Sequence, residues 1–175
     1  AGEHRLLAEH YKSLNKNGKA AHHLKLMGDH AQAALHYQRS GMIDYAAAEF
    51  ETDKQYANAA PLYRRLGDDQ ALLRCVLELE DYLEAALLYE KTHNVDQAIK
   101  CFRLYARDSN ENRQKLAQSL DEINTSLPCT SRALRLAGLE RNQEAAEIFH
   151  NDDNHLSQAI SLFRESGDHA AAAAC

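Results

Sequence analysis

The sequence predicts an all-α chain, an α-solenoid of stacked short helical hairpins, and three observations predict it. A phrase of two small or apolar residues with a large one four positions after the first recurs at a step of 13 residues. It reads Leu7-Ala8 with Tyr11, Ala20-Ala21 with Leu24, Ala33-Ala34 with Tyr37 and Ala46-Ala47 with Phe50. It continues as Ala59-Ala60 with Tyr63, Leu72-Leu73 with Val76, Ala85-Ala86 with Tyr89 and Ala98-Ile99 with Phe102. A fixed period of this kind marks a repeat architecture. Composition agrees, since Ala is heavily used and the chain has no Trp and only 2 Pro, which favours helix over sheet. Finally, Gly28, Gly41 and Gly67 each stand eight residues after the first small position, where a left-handed residue would end a helix.

Thirteen residues suit a helix of roughly nine or ten residues plus a short turn. The apolar offsets of zero, one and four lie on one helical face, joined at offset three in later copies by Leu62, Cys75, Leu88 and Cys101. Two such helices make a hairpin of 26 residues, too small to bury its apolar face alone, so the hairpins must stack. Asp29, Asp53, Asp68 and Asp81 stand near the expected turns as acids suited to capping the next helix or entering its first turn.

In order, the pattern predicts helices over 3–15, 19–27, 29–39, 43–52, 54–65, 69–79, 81–91 and 95–106. Pro61 lies inside the fifth, so that helix either starts later or is kinked. Residues 1–106 form the regular array. The period fails after Tyr105, and 107–131 reads as a turn and cap at Arg107–Asn110, a longer helix from Glu111 to Ile123, and a linker ending at Pro128. Asn124 matches the glycosylation pattern there by chance. In 132–175 the grammar returns out of phase, with Ala133-Leu134 and Leu136-Ala137-Gly138, Ala145-Ala146 with Phe149, and Ala159-Ile160 with Phe163 before Gly167-Asp168. About twelve full helices and a short thirteenth are expected, roughly 60 Å end to end. Neither end shows a polar capping repeat, so the sequence reads as an excerpt of a longer protein.

The net charge of −6 is uneven: residues 1–41 carry +3, 42–99 carry −7 and 100–175 carry −2. The acidic middle disfavours a phosphate backbone, while the first part, with six histidines, is mildly electropositive. No apolar run is long enough to span a membrane and no secretory signal opens the chain. With Cys75 and Cys101 at packing positions, an intracellular, cytoplasmic setting is expected.

Placed chemistry is sparse. His10, His23 and His36 share one offset in successive units, with His22 alongside, but no metal-binding spacing accompanies them. They read as edge-of-core histidines adding pH sensitivity. Cys129, after Pro128, is the one cysteine expected to be exposed. No nucleophile elbow or phosphate loop exists, the carboxylate pairs stand at turns, and Tyr37, Tyr63 and Tyr89 read as core filler. No catalytic residue, metal or cofactor is expected.

Tyr56-Ala57-Asn58-Ala59-Ala60-Pro61-Leu62-Tyr63, Tyr82 to Lys91 and Asn94 to Phe102 resemble the short-helix tetratricopeptide-like solenoids. These follow β-propellers in vesicle-coat and intraflagellar-transport subunits, and occur in large multidomain proteins with a superfamily-one helicase-like module. The resemblance covers nearly all of the chain outside 107–131. It implies a TPR-like right-handed superhelix serving as a protein-docking scaffold inside a larger polypeptide. The alternative is a nucleic-acid-binding or regulatory arm of a helicase-like enzyme. For a partner site the acidic segment is the candidate, with Asp68, Asp69, Glu80, Asp81, Glu84 and Glu90, beside Glu78, on or near consecutive turns. Its ligand would be a basic or amphipathic segment of another protein.

Overall fold

A computed structural model describes residues 2–122 and 129–175. All of its regular structure is helical, and no strand occurs among the described residues. The chain divides into two compact units, Ala1–Glu80 and Asp81–Cys175. The first holds α1 (Gly2–Ser13), α2 (Asn17–Leu26), α3 (His30–Arg39), α4 (Ile43–Thr52), α5 (Tyr56–Leu66) and α6 (Asp69–Glu78). The second holds α7 (Tyr82–Lys91), α8 (Val95–Asp108), α9 (Asn110–Glu122), α10 (Cys129–Gly138), α11 (Asn142–His150), α12 (Leu156–Ser166) and α13 (His169–Ala174). Within each unit every helix packs on the next.

What sets the period is the turn. Asn15, Gly28, Gly41, Lys54, Gly67, Glu80 and His93 all have φ between 55° and 80° and follow one another at thirteen-residue steps. Each reverses the chain after a helix, as a left-handed residue does. The next residue commonly donates its N–H back to the carbonyl of the large residue of the same unit. Asp29 bonds to Leu24 at 3.0 Å, Gln55 to Phe50 at 2.8 Å and Asn94 to Tyr89 at 2.9 Å. The large side chain that fills the core thus also anchors the turn through its backbone.

Where the residue after the left-handed one is Asp or Asn, its side chain caps the new helix. Asp29, Asp68, Asp81, Asn94 and Asp168 accept from Gln32, Ala71, Glu84, Gln97 and Ala171 N–H respectively. Asp53 departs from the expectation. It closes α4, Lys54 takes the left-handed position, and Gln55 is the cap residue of α5, so the Asp53 carboxylate instead accepts from Gln55 Nε2 at 2.6 Å. Because α5 begins only at Tyr56, Pro61 lies in its second turn on an exposed position, and the helix continues to Leu66.

The small pairs are the floor of the core. Ala20, Ala21, Ala33, Ala34, Ala46, Ala47, Ala85, Ala86, Ala145 and Ala146 have no exposed surface, and Leu24, Tyr37, Phe50, Tyr63, Val76, Phe102 and Phe149 are buried beside them. In α1 only Ala8 is buried, and Leu6 is 75% exposed, since α1 packs on α2 alone among its close neighbours.

The break after Tyr105 takes a definite form. No left-handed residue ends α8 at the expected place; the helix runs 14 residues to Asp108, and Ser109, in extended geometry, accepts from Asn112 N–H to start α9. Leu116 and Leu120 of α9 are buried. Ile123, Asn124 and Pro128 lie outside the described residues. α10 then packs on α8 so closely that a Cβ at Gly138 would come within 2.5 Å of Phe102 Cβ. That glycine is a contact residue, whereas the glycines at turns meet nothing within 4 Å.

Candidate functional site

The acidic residues singled out by the sequence occupy unlike surroundings. In the first unit, Asp68 is the exposed cap of α6, Asp69 its half-buried first residue, and Glu80 an exposed residue in left-handed geometry. In the second unit, Asp81 is the exposed cap of α7 and Glu84 lies half-buried in its first turn. Glu90 is engaged internally. Its carboxylate accepts from the Ser131 hydroxyl and lies 3.2 Å from Arg135 Nη1. Arg135 is 8% exposed, donates to Ser131 O at 2.8 Å and covers the Phe102 ring at 5.1 Å. This is a desolvated cation held by a carboxylate, a carbonyl and a π-face.

A groove of about 390 Å³ opens in the second unit between α8 and α12. From α8 it is lined by Asp96, Ile99, Lys100 and Arg103, the i, i+3, i+4, i+7 set of one helical face. Opposite stand Ser157, Gln158, Ser161, Leu162 and Glu165 of α12. Two polar bridges cross it. Gln158 Nε2 reaches Asp96 Oδ1 at 3.4 Å, and Arg103 Nη2 donates to Glu165 Oε2 at 2.7 Å. Arg103 is fixed further by Ala137 O at 3.1 Å and Asn142 Oδ1 at 3.1 Å, and Asn142 Nδ2 donates to Glu165 at 3.2 Å. Ile99 and Leu162 are buried at its floor, and the lining carries two cations against two carboxylates. The walls are therefore apolar at the bottom and charge-balanced at the rim.

Of the groove residues the sequence marks Ile99, as a core position of its repeat, and none as part of a site. The α8 spacing was visible, but Arg103 and Glu165 are 62 positions apart, and the irregular 107–131 stretch between them hides the pairing.

The histidines form contacts in the first unit. His4 Nδ1 and His23 Nδ1 are 3.1 Å apart, His23 stacks on Tyr11 with planes 2° from parallel, and Lys19 Nζ lies 5.5 Å from the Tyr11 ring centre. His36, 7% exposed, places Nδ1 2.9 Å from Asn17 Oδ1. Burial lowers its pKa, with Lys12 and Arg39 adding to the effect. Among the described residues no group of three or more His, Cys, Asp or Glu is placed to hold a metal ion.

Of the thiols, Cys75 and Cys101 are buried, and burial pushes the Cys75 pKa up to about 11, which keeps it protonated and unreactive near neutrality. Cys129 is exposed, and Cys175 Sγ lies 3.1 Å from His150 Nδ1. No described helix is long and apolar enough to cross a membrane. Compared with models of known protein families, with curated proteins and with solved structures, the chain matches none.

Proposed function

We propose that this chain is a non-catalytic protein-interaction scaffold, a tetratricopeptide-like α-solenoid segment of a larger protein, whose groove between α8 and α12 receives an amphipathic segment of another protein. The observation that carries this reading is the groove itself: two helix faces set opposite each other over an apolar floor of Ile99 and Leu162, with paired charges at the rim. A segment with one apolar face and mixed charges matches that lining. A purely basic or purely acidic ligand would meet as much repulsion as attraction. Repeat arrays present extended surfaces of this type without placed chemistry. The exposed turn acids Asp68 and Glu80 of the first unit offer a second, charge-steered attraction for basic segments.

The test is to fill the groove. Ser161 is exposed on α12, and Ser161→Trp should abolish partner binding in a pull-down with helicity unchanged by circular dichroism. An unaltered set of bound proteins would remove the groove from the account. Binding of single-stranded nucleic acid that falls steeply with salt would instead favour a nucleic-acid-binding arm, resting on the exposed Arg5, Lys16 and Lys19 of the positively charged first part.

A further inference from the structure

Three side-chain contacts in the first unit join residues 19 apart, and each is displaced from the last by one 13-residue step: His4 with His23, Asn17 with His36, and His30 with Glu49. The same two positions one and two steps further along hold Ile43 with Leu62 and Tyr56 with Cys75. An inner position that is apolar in the later repeats is thus imidazole or carboxylate in the early ones. We propose that the α1–α3 end of the first unit is an acid-sensitive switch, loosening below neutral pH while α5 and α6 stay packed.

The geometry at His4 and His23 supplies the reason. Two Nδ1 atoms 3.1 Å apart can share one proton; a second protonation would set two N–H donors and two positive charges face to face. Around His23 stand His4, Tyr11 and Glu3 from α1 and His22 from its own helix. Burial, His4 and His22 favour its neutral form, and only Glu3 opposes them. His36 is nearly enclosed, with Lys12 of α1 and Arg39 of its own helix disfavouring charge and Glu9 alone favouring it. His30 differs, because it faces the Glu49 carboxylate at 2.7 Å, to which Lys25 also binds at 2.6 Å. The acid response therefore belongs to His23 and His36.

Both groups have native pKa values below the ordinary 6.5. Their contribution to stability is complete above that value. It is lost as pH falls through it, because the unfolded chain takes up the protons first. Glu51 loses its contribution in the same direction but in a lower window. The Arg74 hydrogen bond holds its pKa below 4.5, so its contribution persists until the carboxylate range is reached. Between those two values the loss falls on α1–α3.

Hydrogen exchange of the whole chain, followed by mass spectrometry at about pH 7.5 and about pH 5.5 and corrected for intrinsic exchange rates, reads this directly. The expected result is a severalfold loss of protection in α1–α3 with α5 and α6 unchanged. The triple variant His23→Leu/Asn17→Ile/His36→Leu installs at 17 and 36 the pair already present at Ile43 and Leu62, takes away the partner of His4, and should remove the response. Equal protection at both pH values, a loss shared by α5 and α6, or a response that survives in the triple variant would each overturn the proposal. Should the variant fail to fold, the comparison of α1–α3 with α5 and α6 in the unaltered chain decides it alone.

Discussion

Lys25 Nζ lies 2.6 Å from Glu49 Oε1, joining an ammonium 45% exposed to a carboxylate 2% exposed. The pair links α2 to α4 across α3, and the hydrogen bond to Glu49 raises the Lys25 pKa. The contribution it makes is therefore complete below the ordinary lysine range and is lost as pH rises through the raised value.

Removing only one partner should cost more than removing both. Lys25→Met leaves a buried carboxylate with His30 alone and should destabilise by about 1–3 kcal/mol, toward the low end because Lys25 is partly in water. Adding Glu49→Leu, the residue type at the equivalent Leu62 and Leu88, should recover most of that loss. Urea unfolding of the two single variants and the double variant checks it; a double variant no more stable than Lys25→Met would contradict it.

At Gly138 the space is already taken. A Cβ there would overlap Phe102 Cβ at 2.5 Å, so Gly138→Ala should force α10 away from α8 and cost about 1–3 kcal/mol. Ala86→Leu, at a position with no exposed surface, should fall in the same range for the same reason. Thermal unfolding would show both as lowered midpoints, and an unchanged midpoint in both would mean these faces are not tightly packed.

Lys54 sits at φ 57° where Gly28, Gly41 and Gly67 occupy the equivalent turns. A left-handed backbone costs a side-chain-bearing residue roughly 1–2 kcal/mol, partly offset by the larger entropy a glycine loses on folding. Lys54→Gly should thus stabilise by about 0.5–1 kcal/mol. A fall in the urea midpoint would show that the Lys54 side chain makes contacts that outweigh the strain.

These variants mark how far the sequence reached. The 13-residue step, the Ala floor and the left-handed glycines were legible because each repeats a local physical requirement, and Asp29, Asp68 and Asp81 were legible as turn acids for that reason. Asp53 was misplaced because the left-handed residue at Lys54 is not a glycine and gives no signal. His36 and Glu49 were harder still, since their burial depends on Asn17, Lys25 and His30 arriving from other helices. The groove was out of reach, because its two walls are joined through contacts 62 positions apart.

Charge reversal at Asp68 and Glu80 tests the acidic turns of the first unit as a separate surface. If basic segments are steered there, the double Lys variant should lose salt-sensitive partners and keep those that bind through the groove. An unaltered set of partners would leave Asp68 a helix cap and Glu80 a solvated turn residue.

The proposed role rests on the groove between α8 and α12, and the most direct measurement is photo-crosslinking from within it. A benzophenone side chain placed at Ser161, with Gln38 on the exposed surface of α3 as control, should trap an amphipathic segment of a partner protein from Ser161 and not from Gln38. Ser161 adducts should also disappear when Lys100→Glu reverses one charge of the balanced rim. Adducts absent from Ser161, or the same from both positions, would contradict the scaffold reading of this groove.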